Sequence, residues 1–160
     1  DQWTDSHLSK IRNAYSESKF FKENWTPIQN LYNDLNYKNL YLSNKNIIRV
    51  ITKWLEIDIE FINSSDLPNV GNKSSDDRLI DIISQLNGNV YLSGIGAKQY
   101  QTEKKFNQEN IKLSYSNFKV KKYVQKNNSF IGGLSILDAL FYLGRENTKK
   151  LLEECKEYLY

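Results

Sequence analysis

The stretch from residue 75 to residue 115 restricts the fold of this chain more than any other, because it alternates between helix and strand patterns. Val90–Leu92 forms a short strand-prone run bounded by glycine-containing turns, and the alternation over 111–115 predicts a second strand. Strands joined by a helical crossover lie parallel, with a right-handed connection in almost all cases. The helix before the first of these strands is predicted from apolar residues spaced three and four apart: Leu79, Ile80, Ile82, Ile83 and Leu86.

A third strand is predicted upstream, where Ile57, Ile59, Phe61 and Ile62 follow a strand-like pattern. The segment 63–75, rich in turn residues, would then be a loop at the carboxyl end of that strand. The predicted fold class is therefore α/β, with a small, mainly parallel three-stranded sheet flanked by helices. Open α/β sheets bind ligands beyond the carboxyl ends of their strands. We therefore expect the loop 63–75 and the loop Ser93–Lys98 to form one ledge that faces an anion.

The remaining segments are predicted to be mostly helical, within a single domain covering residues 1–160. Residues 1–56 form a helical part that starts with a helical hairpin, 57–116 form the β-α-β-α-β core, and 117–160 form a strap and C-terminal helices. Gly144 is expected to end the helix of the most apolar segment. Asp138 lies inside that segment, and a buried carboxylate must be hydrogen-bonded or paired.

Composition excludes several classes of protein. The 160 residues carry a net charge of +3 and a mean hydropathy of −0.64, and no run approaches the roughly 18 apolar residues of a membrane helix. One cysteine and one histidine allow neither an intrachain disulfide nor a four-ligand zinc site, so we predict no metal. No cofactor is predicted. Nucleic acid is not expected as a partner, because no recognition motif accompanies the lysines.

Two features could carry chemistry. His7 is the side chain whose ordinary pKa suits proton transfer near neutrality, although a surface or packing histidine is the more frequent case. Gly94 and Gly96 would allow close backbone approach to an anion, with Lys98 adding a charge and Tyr100 a hydroxyl. The alternative is a tight strand-to-helix turn that binds nothing.

Several ordered blocks resemble the WbqC-like family: Asp77–Asp81, Tyr91–Gly94 with Gly96–Lys98 and Tyr100, Tyr123–Gln125 with Phe130, Leu134–Asp138, and the histidine helix containing His7, Ala14 and Phe20. Members of that family are typically encoded among genes for bacterial surface polysaccharides. Family members extend further at the N-terminus, so we expect this chain to be a C-terminal portion. Gly132-Gly133 departs from the family pattern, which tends to have a proline after the phenylalanine.

The resemblance implies a cytoplasmic transferase of O-antigen or capsule biosynthesis that acts on a sugar nucleotide or amino sugar, by acyl or aminoacyl transfer. Its donor would be a sugar nucleotide or an acyl or aminoacyl thioester, and a homo-oligomer is compatible with the sequence. A scaffolding domain without catalysis is the alternative, and a nucleotide-binding fold without a polysaccharide role is a third. By position, the resemblance makes His7 the catalytic candidate and gives these ligand-binding candidates: Asp77, Arg78, Ser93, Gly94, Gly96, Lys98, Tyr100, Gln125 and Asp138.

Overall fold

A computed structural model describes residues 2–35, 39–126, 129–155 and 158–159. The chain divides into two compact units, each assembled from two segments. The first contains Asp1–Ile59 and Val120–Glu154, and the second contains Glu60–Lys119 and Cys155–Tyr160. The larger segment of the second unit therefore lies, in the sequence, between the two segments of the first.

Six α-helices and three strands occur within the described residues. In chain order they are α1 (Gln2–Tyr15), α2 (Phe21–Asn33), α3 (Leu40–Trp54), α4 (Ser75–Gln85), β1 (Val90–Gly94), α5 (Glu103–Gln108), β2 (Lys112–Ser116), α6 (Ile136–Glu154) and β3 (Tyr158–Leu159). None of these helices is long and apolar enough to cross a membrane. Helix α3 begins where the side chain of Asn39 accepts a hydrogen bond from the Leu42 amide at 3.0 Å, a standard N-cap.

The first unit is built on the contact between α2 and α6. The Phe20 amide donates to the carbonyl of Phe141 at 3.0 Å, and the rings of Phe21 and Phe141 stack 5.7 Å apart. The ring of Tyr15, at the end of α1, also stacks on the Phe141 ring, with 4.8 Å between the ring centroids. The buried apolar residues of this unit are Ile28, Leu31, Leu35, Leu55, Ala139, Leu140 and Phe141.

Gly144 divides α6 into two helical segments. Its φ of 76° and ψ of 173° lie outside the helical region, and the helix bends there and continues to Glu154. A Cβ atom at Gly144 would lie 2.8 Å from the Phe20 ring. The predicted helix end at Gly144 is therefore confirmed, because glycine can adopt this non-helical conformation and leaves room for the ring.

The second unit contains the predicted parallel pair of strands. β1 and β2 run parallel with Val90 opposite Lys112 and Gly94 opposite Ser116, and α5 forms the crossover between them. The core of this unit consists of Ile83, Phe106, Ile111 and Leu113, with Leu79, Ile80, Tyr91 and Tyr115 packed against it. The predicted helix and strand patterns of residues 75–115 are therefore confirmed.

The predicted strand over 57–62 is wrong. Ile57, Ile59 and Ile62 are each at least 40% exposed, and the segment forms no β-ladder. The third strand is instead the two-residue β3, antiparallel to β2, with Tyr115 opposite Leu159. Alternating apolar residues favour extended backbone, but a strand also needs a neighbour to accept its hydrogen bonds, and no local pattern specifies one. Consequently, the loop after residue 62 does not follow a sheet strand, and the ledge formed by two strand ends is also wrong.

Candidate functional site

The loop after β1 keeps the position that the sequence predicted for it, at the carboxyl end of a parallel strand. Ile95–Ala97 forms one turn of 3-10 helix directly after Gly94, and Lys98 follows. The ammonium of Lys98 lies 5.7 Å from the centroid of the Tyr115 ring, on the neighbouring strand β2. This cation–π contact holds the Lys98 stem near the strand ends while the side chain remains exposed. We call residues 93–98, which are the last two residues of β1 and the turn that follows, the glycine loop.

Neither glycine of this loop is required by the backbone or by packing. Gly94 has an extended φ of −70°, and Gly96 is not among the residues with positive φ. A Cβ atom added to either would meet no heavy atom within 4 Å. Gly144 is the opposite case, since both its φ and its contact with Phe20 demand glycine. The side of Gly94 and of Gly96 on which a Cβ atom would lie is therefore open to close approach from outside.

The other residues of this loop differ in what they can do. Ser93 is only 5% exposed, so its hydroxyl is poorly placed to attack a substrate. Tyr100 is 75% exposed and is free of the core. Ser93 lies opposite Tyr115 in the strand register, so it serves the packing of the sheet.

The acidic pair at the start of α4 has divided roles. Asp77 is exposed and forms an ion pair with Lys105 of α5 at 2.9 Å, and Arg78 is exposed beside it. The neighbouring Asp76 is buried, and its carboxylate accepts a hydrogen bond from the Thr102 amide at 2.9 Å, just before α5. Asp76 therefore fixes the crossover between β1 and β2. Asp76 is not among the sequence-predicted site residues, although it lies next to Asp77 in the first turn of α4.

His7 lines an aromatic cleft on the first unit. Its ring contacts Trp3 edge-on at 5.1 Å and Tyr32 at 6.3 Å between centroids. The cleft has a volume of about 450 Å³, and its other walls include Leu35 and Asn44. Among the residues that the structure describes, no acidic or basic side chain other than His7 lines it. The cleft therefore suits an uncharged, ring-shaped group better than an anion.

Gln125 and Asp138 meet in the interior of the first unit. The Asp138 carboxylate, 3% exposed, accepts hydrogen bonds from the Tyr123 hydroxyl at 2.6 Å and from the Gln125 side-chain nitrogen at 2.7 Å. The Gln125 amide is itself fixed by Ile131, whose N–H donates to Oε1 at 2.7 Å and whose carbonyl accepts from Nε2 at 3.1 Å. This pairing sets the amide orientation, so Nε2 must point at the carboxylate. The group Tyr15, Tyr123, Gln125 and Asp138 is called the Asp138 network.

The Asp138 network connects the segment that contains Tyr123 and Gln125 to α6 and α1. It confirms the expectation that a carboxylate in this apolar segment is hydrogen-bonded, and it brings together two of the residues that the family resemblance selected. Burial, followed by the nearby Asp138 charge, raises the pKa of Tyr15 from its ordinary value of 10.0 to about 12. Burial and the hydrogen bond to Asp138 also raise the pKa of Tyr123.

These tyrosines predict loss of stability in alkali. A phenol whose pKa is raised on folding contributes stability that is complete below its unfolded pKa of 10.0 and is lost as the pH rises toward about 12. The free energy of unfolding, measured with urea at pH 9 to about 12, should fall less steeply in Tyr15→Phe and Tyr123→Phe than in the wild type. Tyr100→Phe is the control. Equal slopes in all four proteins would contradict the prediction.

The sequence-predicted residues thus fall into two groups. His7, Gln125 and Asp138 belong to the first unit, and Asp77, Arg78, Ser93, Gly94, Gly96, Lys98 and Tyr100 belong to the second. Among the described residues, no three His, Cys, Asp or Glu side chains are placed to hold a metal ion.

Comparison with known proteins identifies the family. The model of the WbqC-like protein family matches residues 1–150. The mycobacterial protein named "Uncharacterized protein Rv1507c" (Mycobacterium tuberculosis strain H37Rv) is 28% identical over 145 residues, which cover 90% of this chain and 62% of that relative. The chain thus spans less than two thirds of that relative's length. No solved structure matches the present chain significantly. Because the family model covers almost the entire sequence, the chain belongs to the WbqC-like protein family.

Proposed function

We propose that this chain is part of a transferase of bacterial surface-polysaccharide biosynthesis that binds an anionic donor at the glycine loop. The donor is a sugar nucleotide or an acyl or aminoacyl thioester, and the acceptor is a sugar nucleotide or amino sugar. Membership of the WbqC-like family supports the biological setting. The observation that carries the binding site is that neither conformation nor packing requires Gly94 and Gly96 to be glycine.

Glycine has a cost that a function would have to offset. In regular structure it is less stable than alanine by about 0.5–1 kcal/mol, because it loses more conformational freedom on folding. A glycine with negative φ and empty space around its missing Cβ brings no compensating gain within the described residues. Access of a ligand to the backbone is the remaining physical reason for such a residue, and phosphate groups are bound by backbone N–H groups of this kind.

Lys98 supplies the charge for the donor. Its exposed ammonium stands at the strand ends beside Tyr115 and is part of no ion pair among the described residues. A phosphate or diphosphate would be held by the loop backbone for position and by Lys98 for charge. Catalysis of this kind works by positioning and electrostatic stabilisation.

His7 is the proposed general base. The aromatic cleft around it would hold an uncharged ring, since Trp3 and Tyr32 offer flat apolar surfaces and Asn44 offers a hydrogen-bonding amide. Imidazole can take a proton from an acceptor hydroxyl or amine near neutral pH. Replacement of His7 by glutamine would then lower kcat with little change in donor affinity.

The glycine loop gives a test in which binding and stability separate. Gly94→Ala and Gly96→Ala should raise the free energy of unfolding by up to about 1 kcal/mol, because each new methyl group meets empty space and alanine loses less conformational freedom on folding. Each should weaken binding of UDP-N-acetylglucosamine or acetyl coenzyme A by about tenfold or more through the lost approach to the backbone. Isothermal titration and urea unfolding measure the two effects. Lys98→Gln should weaken binding similarly.

Lys104→Gln removes a nearby exposed positive charge outside the loop and is the matched control. Absence of binding to both donors in the wild type, or full binding in all three loop variants, would contradict the proposal. Binding of adenine nucleotides alone would favour a nucleotide-binding role without a polysaccharide substrate.

A non-catalytic binding domain is the second candidate, and α3 favours it. Leu40, Tyr41 and Ile48 are 76%, 54% and 51% exposed, so this helix presents apolar side chains to solvent. Exposed apolar surface of this kind is typical of protein interaction sites. If α3 is the functional surface, Tyr41→Ser would abolish recruitment of a polysaccharide enzyme, and the loop variants would have no effect.

A further inference from the structure

A second cleft of the first unit lies beside Arg145, at the kink of α6. Its volume is about 670 Å³, and its walls include Trp54, Arg145, Lys149, Lys150 and Glu153. None of these residues belongs to the sites predicted from the sequence. We call it the Arg145 cleft.

The guanidinium of Arg145 is held by two contacts. Its Nε donates to the side-chain oxygen of Asn24 at 3.4 Å, and its carbon lies 4.9 Å from the centroid of the Trp54 ring. Stacking on an indole orients the plane of the guanidinium. Such an arginine loses less freedom when it binds a ligand than a mobile surface arginine would.

The side chain of Asn24 is held in one orientation by its own hydrogen bonds, so its contact with Arg145 has a defined direction. It is fully buried, and its side-chain nitrogen donates to the carbonyls of Phe20 at 3.2 Å and Leu140 at 3.0 Å. These two bonds determine the orientation of the amide, so that its oxygen is presented to Arg145. The kink at Gly144, with φ of 76°, immediately precedes Arg145 and sets where α6 resumes.

The charges of the Arg145 cleft leave this guanidinium available. Lys149 is paired with Glu56 at 2.9 Å, and Lys150 with Glu146 at 2.6 Å. Arg145 has no carboxylate partner among the described residues, and its terminal nitrogens make no hydrogen bond there. An arginine that is oriented by packing and keeps both terminal nitrogens available matches the two-oxygen edge of a carboxylate or phosphate.

We propose that the Arg145 cleft binds a small ligand through a carboxylate or phosphate monoester group held in two-pronged fashion by Arg145. Glu56, Glu146 and Glu153 also line the cleft and oppose a polyphosphate, so the ligand carries one anionic group. The Trp54 ring provides an apolar surface for the rest of the ligand. This site is independent of the glycine loop.

Tryptophan signals give a local test. The chain has three tryptophans, so a ¹⁵N-labelled sample gives three indole N–H resonances, and Trp54→Phe identifies the relevant one. Titration with sodium phosphate, and separately with sodium acetate at constant ionic strength, should move the Trp54 signal saturably. Response to both anions indicates the shared chemistry, and response to one identifies the group that the site prefers.

Arg145→Gln should weaken this response by about tenfold or more, and Arg145→Lys should weaken it nearly as much, because lysine cannot donate in a planar fork. Arg12→Gln removes an exposed arginine of the same unit and should leave the titration unchanged. An unchanged response in both Arg145 variants, or no saturable response of Trp54 to either anion, overturns the proposal. Gly94→Ala and Lys98→Gln should not affect this signal, so failure here is distinct from failure of the donor site.

Discussion

Asp138→Ala is expected to lower the free energy of unfolding by about 3–5 kcal/mol, because it leaves buried donors without an acceptor. The Tyr123 hydroxyl and the Gln125 side-chain nitrogen both donate to the same carboxylate oxygen, at 2.6 and 2.7 Å. Gln125 cannot rotate to a new acceptor without giving up its paired bonds to Ile131. Urea unfolding at pH 7 measures the loss.

Asp138→Asn separates a structural role from a chemical one. The side-chain oxygen of asparagine can replace the carboxylate oxygen that both donors share, so this variant should lose about 1–2 kcal/mol, the difference between charged and neutral acceptors. If asparagine costs as much as alanine, the negative charge itself is required and the hydrogen-bond account is incorrect. A loss below about 1 kcal/mol in Asp138→Ala would show that the network contributes little to stability.

Gly144→Ala is expected to cost about 3–4 kcal/mol, from two causes that add. A φ of 76° with a ψ of 173° belongs to a region that only glycine occupies readily, and a strained residue there costs about 1–3 kcal/mol. The new methyl group would also lie 2.8 Å from the Phe20 ring, which must move although its amide is bonded to Phe141. The measurement is again urea unfolding.

Two other glycines separate these causes. Gly133 shares a φ of 76° but has open space around it, so Gly133→Ala should show the conformational cost alone. Gly94→Ala should show neither cost. If Phe20→Leu relieves none of the cost of Gly144→Ala, the contact with Phe20 contributes nothing. Phe20→Leu combined with Gly144→Ala should recover part of the loss by making room.

The sequence predicted well where local patterns and partners lie close together. Residues 75–115 contain both parallel strands, their crossover and the helix before them, so the periodicity of one segment sufficed for that half of the fold. The alternation over 57–62 is equally clear, yet these residues pair with no strand in the described parts of the chain. The partner of β2 comes from Tyr158–Leu159, some forty residues further on, and no local signal connects them.

For the site residues too, the sequence was informative where the signal was local and uninformative where it depended on a distant residue. Asp138 was recognised because a carboxylate among apolar residues requires hydrogen bonds, but its partners were found only in the folded chain. Arg145 was missed because its orientation depends on Asn24, 121 residues earlier in the sequence. A polar asparagine within the apolar stripe of α2 was the available signal. The single-domain organisation and the ligand-binding roles of the candidate residues remain predictions.

The order of the two units' segments along the chain affects how the protein folds during synthesis on the ribosome. Glu60–Lys119 emerges before Val120–Glu154, so the parallel β-α-β segment is synthesised while the α2 surface still lacks its α6 partner. The helices of residues 1–59 therefore keep apolar side chains exposed until residues 120–154 have been translated. Nascent-chain aggregation and chaperone dependence should thus be governed by residues 1–59 rather than by the sheet.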